Sequence, residues 1–214
     1  MGMKLHNYFR SSASFRVRIA LALKGLSYEY LSVHLAKGEH LQDSFTRINS
    51  DGLVPLLEID GLQLTQSLAI IEYLEETRPA PALLPADAAG RARVRALAQS
   101  IASEIHPLNN LRVLKYLSQT LKLDEDTKNT WYRHWVRLGL LAFEKQLAHS
   151  PSGKFCHGDA PGMADCALVP QIFNAQRFKV DLSGLDKTMA VFDACMAQPA
   201  FQQAQPSACP DFEA

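Results

Sequence analysis

Apolar and polar positions change their pattern several times along the chain, and each change marks an element. Leu5 to Phe9 is a short apolar and aromatic run, followed by Ser11, Ser12 and Ser14 and then by an Ala/Leu/Ile/Arg segment that stops at Gly25. That order predicts strand, turn and helix. Tyr28, Tyr30, Leu31 and Val33 give the stretch 28–33 a strand mixture and complete a β-α-β unit. The polar 34–48 region predicts a loop with a short helix over Leu41 to Ile48, and Asn49-Ser50-Asp51-Gly52 is a turn signal. Leu53 to Ile59 and Leu62 to Leu64, split by Asp60-Gly61, predict a hairpin with Pro55 at its start. Only about 5–6% of X–Pro bonds in folded proteins are cis, so frequency favours a trans Val54–Pro55 bond.

Leu68, Ile71 and Leu74/Glu75 form the next helical stripe, with Ser67 as its expected N-cap. Pro79, Pro81 and Pro85 then mark a linker. This places an α/β domain over residues 1–78, the linker over 79–87 and an all-helical domain over 88–214. Within the latter, Ala88 to Leu121 is one helical pattern that Pro107 should kink or split. Asp124 to Ala148 carries Trp131, Trp135, Leu138, Phe143 and Leu147 at helical spacing, with Trp131, Trp135 and Phe143 read as core. Asp165, three residues after Gly162, sits where the acidic arm of a capping box would, and Cys166 beside it reads as buried packing. Gly184 to Ala197 and Ala200 to Ala204 read as two closing helices.

Composition narrows the function classes. Lys plus Arg and Asp plus Glu both number 22, so no net field draws the chain to nucleic acid or to an anionic membrane. Cys156, Cys166, Cys195 and Cys209 lack C-x-x-C spacing and nearby His pairs, which indicates neither a metal site nor a disulfide framework. No basic segment leads into a long apolar run and no stretch approaches the roughly 18 apolar residues of a membrane span. A cytoplasmic location is therefore expected.

The serines at the first helix start carry the candidate chemistry. Unpaired amides and the positive end of the helix dipole favour an anion there, and hydroxyls beside them suit a thiolate or a carboxylate. From spacing alone a serine at a helix start is more often just a cap.

The run Ser11-Ser12-Ala13-Ser14-Phe15-Arg16-Val17-Arg18-Ile19-Ala20-Leu21-Ala22-Leu23-Lys24-Gly25, with Gln66-Ser67-Leu68-Ala69-Ile70-Ile71-Glu72-Tyr73-Leu74-Glu75, resembles the zeta class of glutathione transferases. That class includes maleylacetoacetate isomerases and bacterial maleylpyruvate isomerases. The resemblance continues through His106-Pro107-Leu108-Asn109-Asn110, Leu168-Val169-Pro170-Gln171, Arg177 to Leu182 and a C-terminal Pro-Asp. It implies a glutathione-transferase fold: a thioredoxin-like βαβ-ββα domain and a helical domain. Three positions depart from the usual pattern: Ala13 replaces a common cysteine, Gly162 a common Thr or Ser, and Arg112 occupies a position that varies within the family.

By the same resemblance, Ser11, Ser12 or Ser14 donates to the sulfur of glutathione, and Val54 pairs its backbone with the cysteinyl unit. Gln66 and Ser67 hold the γ-glutamyl carboxylate. His40, His106 and Asn110 are further cofactor-binding candidates, a solvated or structural role being the alternative for the histidines. Arg10, Arg112 and Arg177 are candidates for the substrate's carboxylates, which arginine suits by its bidentate fork, with Arg10 also beside the reacting sulfur. The implied reaction is cis–trans isomerisation of maleylacetoacetate or maleylpyruvate in aromatic catabolism, by thiolate addition, rotation and elimination, in a homodimer. Two alternatives are a transferase conjugating haloacids or other electrophiles, and a catalytically silent protein-binding module that keeps the fold.

Overall fold

Leu5 and Asn7 are the buried positions of β1 (Lys4–Asn7), which puts this strand at the centre of a sheet. In the computed structural model, which describes residues 2–149 and 153–213, α1 (Ser12–Leu23) crosses from β1 to the parallel strand β2 (Glu29–Ser32). A single 3₁₀ turn (Glu39–Leu41) and α2 (Asp43–Thr46) replace the expected helix over 41–48, because Gln42 between them is extended. β3 (Leu56–Ile59) and β4 (Leu62–Thr65) form the hairpin and α3 (Ser67–Thr77) follows. The sheet order is β2-β1-β3-β4, with Leu5 opposite Tyr30 on one side and opposite Leu57 on the other. This is the thioredoxin-like βαβ-ββα arrangement. The Val54–Pro55 peptide is cis, against its frequency. An X–Pro amide prefers trans by only about 0.5–1 kcal/mol, so tertiary context decides.

Helix α1 is buried nearly all round, with three cations inside it or at its end. Arg18 donates from Nε to Ala204 O at 2.9 Å, from Nη1 to Asn7 Oδ1 at 3.0 Å and from Nη2 to Phe9 O at 3.1 Å. Lys24 pairs with Glu75 at 2.9 Å and donates to the carbonyls of Arg78 and Pro81. The third, Arg16, is equally buried.

The helical unit begins with α4 (Ala88–Gln99), capped by Asp87, whose Oδ1 accepts from Gly90 N. The chain continues through a wide π turn (Ser100–Ile105) into α5 (His106–Asn109). Pro107 therefore does not split the helix: the π turn before it absorbs the missing N–H and the ring. The break falls at Asn110, whose extended backbone and side chain start α6 (Leu111–Lys115). α7 (Glu125–Ala148) buries Tyr132, Val136, Leu140, Phe143 and Leu147. Trp131 and Trp135 lie beside that stripe and are only half-buried; the Trp131 indole donates to Leu108 O at 2.9 Å.

α8 (Met163–Arg177) starts at Gly162, and only the acidic arm of the capping box exists, since glycine has no side chain to contribute. Asp165 Oδ2 accepts from Gly162 N at 2.8 Å and Oδ1 from Cys156 N at 2.9 Å. Cys166 is fully buried. α9 (Asp186–Met196) and α10 (Pro199–Ala204) follow.

By compactness the chain forms two units, Met1–Leu83 with Met196–Ala214, and Leu84–Cys195. The segment from Met196 onward, expected in the helical domain, thus belongs to the first unit. The physical reason is α10, which packs along α1 and supplies the Ala204 carbonyl to Arg18. Beyond it Asp211 accepts from Phe9 N at 3.2 Å, from Ser32 Oγ at 2.9 Å and from the Tyr30 hydroxyl. Glu213 meets His34 and Lys37, each at 3.2 Å.

Candidate active site

The first helix start is built by a tight turn. Ser11 N donates to Tyr8 O at 2.9 Å, and Ser11, in extended backbone, caps α1 by accepting from Ser14 N at 3.2 Å. Its oxygen accepts that amide, and the hydroxyl keeps its one proton for a further acceptor. Ser11 is half-buried, Ser12 is 5% exposed and Ser14 is fully enclosed. The three serines therefore differ in reach although they sit together. Arg10 is exposed, stacks its guanidinium 4.9 Å from the centre of the Phe9 ring and donates to Glu213 O at 3.3 Å.

A second helix start lies in the same unit. Gln66 is exposed and takes φ 64° and ψ 111°, a backbone that a non-glycine residue rarely adopts. Such strain collects at ligand sites, where the surroundings hold the residue in place. Gln66, rather than Ser67, is the cap position, and its side chain caps nothing; Ser67 is the first helical residue. Ser67 Oγ instead accepts from Arg16 Nη1 at 3.2 Å.

Arg16 is 2% exposed. Its Nε and Nη2 are buried without a hydrogen-bond partner among the described residues. Burial lowers its pKa to about 10, so it stays protonated at neutral pH. Sequence reasoning missed this residue. Arg-Val-Arg inside a helix reads as a polar face, and no local signal says that both arginines turn inward.

Val54 is 8% exposed and precedes the first ladder residue of β3, so its N–H and C=O are outside the sheet pairing. It packs in one cluster with Tyr8, Phe9, Val33 and Leu56. His40 is buried, and its carbonyl lies so close to Gly52 that a Cβ there would meet it at 3.0 Å. A dipeptide backbone along Val54 and an anion at each helix start are what this unit can accommodate. An orphaned buried guanidinium, a strained exposed Gln66 and a half-buried hydroxyl at Ser11 fit a thiol tripeptide with a terminal carboxylate.

The other candidates belong to the helical unit. Asn110 Nδ2 meets His106 Nε2 at 3.2 Å, and Asn110 Oδ1 accepts from Arg112 N at 3.1 Å. Both ends of the Asn110 amide are thus engaged locally. Arg112 is exposed; Arg177, at the end of α8, is exposed with its guanidinium 5.0 Å from the centre of the Phe178 ring. Asp165 and its neighbours are structural. Burial pushes the Asp165 carboxyl up, opposed by the amides of Cys156 and Gly162, and burial likewise raises the Cys156 thiol. Among the described residues no His/Cys/Asp/Glu group is arranged to hold a metal ion.

A thioredoxin-like unit with a serine-capped first helix and a second anion-ready helix start, followed by a helical unit, defines the glutathione-transferase class of proteins. The family model for the glutathione S-transferase N-terminal domain matches residues 1–76. The chain is 52% identical over 210 residues to a maleylpyruvate isomerase of Ralstonia sp., covering 98% of this chain and 99% of the relative. It superposes with TM-score 0.96 and 51% identity on the holo structure of a maleylpyruvate isomerase described as a bacterial zeta-class glutathione S-transferase, covering 98% and 100% of the two chains. A maleylacetoacetate isomerase from Anaeromyxobacter dehalogenans 2CP-1, with dicarboxyethyl glutathione and citrate in its active site, superposes with TM-score 0.89 and 44% identity over 100% of this chain and 98% of that one. This chain belongs to the zeta-class glutathione transferase family of maleylacetoacetate and maleylpyruvate isomerases.

Proposed function

We infer that the protein is a glutathione-dependent cis–trans isomerase of maleylacetoacetate or maleylpyruvate. The observation that carries this reading is full-length likeness to such isomerases together with an intact Ser11 cap and Gln66–Ser67 helix start. Twisting a C=C bond directly is prohibitive; bound glutathione supplies a thiolate that adds to it reversibly, allowing rotation before the double bond is restored. Dicarboxyethyl glutathione, seen in the Anaeromyxobacter relative, is the product expected when a thiol adds across a butenedioic acid, which supports the same chemistry here.

The chain's own residues have distinct tasks in this proposal. Ser11, with its proton free to point outward, donates to the sulfur at the α1 start, and Ser12 adjoins it. A thiol near 8.5 must fall by about two units, or about 2.7 kcal/mol, to be mostly ionised at neutral pH. A helix start supplies about 0.3–1 kcal/mol and a hydrogen bond to a charged acceptor about 1.5–3 kcal/mol, so the two together suffice. Val54 aligns the cysteinyl backbone, and Gln66 and Ser67 receive the γ-glutamyl carboxylate. Arg10, Arg112 and Arg177 are the candidates for substrate carboxylates and for the charge that develops as the alkene is attacked. His40, His106 and Asn110 remain candidates for the far end of glutathione. A homodimer in the cytoplasm is the working arrangement proposed.

The test is a spectrophotometric assay of maleylpyruvate and maleylacetoacetate with and without glutathione, followed by measurement of free thiol. Isomerisation that requires glutathione and returns all of it is expected. Stoichiometric loss of thiol would move the protein to the conjugating transferases, and absence of turnover with either diacid would reject the assignment.

A further inference from the structure

The three buried cations of α1 are not treated alike. Arg18 is met by acceptors at each nitrogen, and Lys24 by a carboxylate and two carbonyls. Arg16, equally buried, is met by one neutral hydroxyl, and two of its nitrogens have no partner among the described residues. A guanidinium carries five donors and a full charge, and burying a charge without a counter-charge is strongly unfavourable. A fold that satisfies two of three such cations and leaves the third open has a place for an anion that the chain itself does not supply.

The geometry also says where that anion belongs. Arginine can only donate, so at the Arg16–Ser67 contact the Ser67 oxygen is the acceptor, and the Ser67 proton is left for another partner. Ser67 opens α3, an eleven-residue helix whose first-turn amides and dipole favour negative charge at the same spot. Gln66, exposed and held at φ 64°, flanks it. A buried cation, a hydroxyl polarised by it and a helix start therefore adjoin one another.

We propose that Arg16 is the buried counter-charge for the γ-glutamyl carboxylate of glutathione, a positioning residue that acts through Ser67 and makes this subsite select a carboxylate. This rests on the reading that the carboxylate is received at Gln66–Ser67. Arg16 fixes the Ser67 hydroxyl as a donor towards the ligand and supplies the positive field that an uncharged helix start lacks. In the free protein the residue is a burden on the fold, and the ligand relieves it.

That asymmetry gives the test. Arg16→Met, close in length and apolar, is compared with wild type in thermal melts without ligand, and in calorimetric titrations with glutathione and with an analogue whose γ-glutamyl carboxylate is replaced by hydrogen. Because apolar replacement of a buried unpaired charge is often neutral or stabilising, the ligand-free variant is expected to melt at or above the wild-type temperature. Its glutathione affinity should fall about tenfold to a hundredfold, the size of one charge-assisted contact, while its affinity for the analogue should stay within about twofold. A variant that fails to fold or melts well below wild type would overturn the proposal, since Arg16 would then be holding the fold. So would equal losses for both ligands, or undiminished preference for glutathione. If wild type itself binds the analogue as tightly as glutathione, the reading of Gln66–Ser67 fails instead.

Discussion

At the scale of single residues, the proposed activation of the glutathione sulfur depends on which serine hydroxyl can reach it. Ser11 combines partial exposure with an oxygen already engaged by Ser14 N, so its proton is available to a ligand, whereas Ser14 is enclosed. Ser11→Ala should lower kcat about tenfold to a hundredfold, the equivalent of one hydrogen bond to a charged acceptor, and destabilise the fold by about 1 kcal/mol through the lost cap. Ser11→Thr should recover most of both. Steady-state kinetics and melts of the pair check this, and unchanged kcat in the alanine variant would shift the role to Ser12. The positions of Ser11 and Gln66 at helix starts were legible in the sequence because each sits at a punctuation mark, where a strand or hairpin turns into a helix. Arg16 was not legible, because inward or outward placement of a helical arginine is decided by the helices that pack on α1 and by Ser67, which are distant along the chain. The half-burial of Trp131 and Trp135 was misread for a related reason: helical spacing identifies a stripe, but a tryptophan one position off it also keeps the period.

At the scale of elements, helix ends hold more of the structure together than the propensities of the segments suggest. Asp165 serves two segments at once, accepting from Gly162 N at the start of α8 and from Cys156 N nine residues earlier. It is 1% exposed, and the Cys156 amide it accepts from is buried, so that amide has no water as a substitute once the carboxylate is gone, while half-buried Gly162 is less dependent on it. Each unsatisfied buried donor costs about 1–3 kcal/mol, and Asp165→Ala should destabilise by roughly 2–5 kcal/mol. Asp165→Asn, which keeps one acceptor, should lose about half as much. Urea unfolding measures both, and a loss below about 1 kcal/mol for the alanine variant would mean the two amides find other partners. The acidic arm was legible from the Gly162–Asp165 spacing alone; its second acceptor was not, since the loop that brings Cys156 back has no periodicity to read. The same limit explains Pro107. Proline predicts a break, but the π turn of Ser100–Ile105 accommodates it and the break moves to Asn110.

At the scale of the whole molecule, order along the chain and order in space part company after Met196. The change of composition at the proline run is what places a boundary there in the sequence. The grouping of residues 196–213 with the first unit has no such mark, since α10 reads as one more helix after helices. This segment sets a pH response. Glu213 is held below the ordinary carboxylate range by its hydrogen bond to His34 and then by Lys37. A depressed carboxyl stabilises the docked form above its unfolded value, and that contribution disappears as pH falls through the folded value. Docking should therefore weaken on acidification below the ordinary glutamate range of about 4.3. Hydrogen exchange of the Phe9 and Phe212 amides, corrected for intrinsic rate, should show lost protection between about pH 6 and about pH 3. Glu213→Gln should remove most of that difference; equal protection at both pH values in wild type would exclude the linkage.

Assembly of the first unit from two distant stretches also bears on how the protein is made. A ribosome delivers β1 to α3 early, but Arg18 then lacks the Ala204 carbonyl and Phe9 N–H lacks Asp211. The turn that carries Ser11 is completed only after some 110 intervening residues, Leu84–Cys195, have been synthesised. A nascent chain cut short before Met196 carries every glutathione-binding candidate of the first unit, yet leaves the serine turn without the lock that the later segment provides.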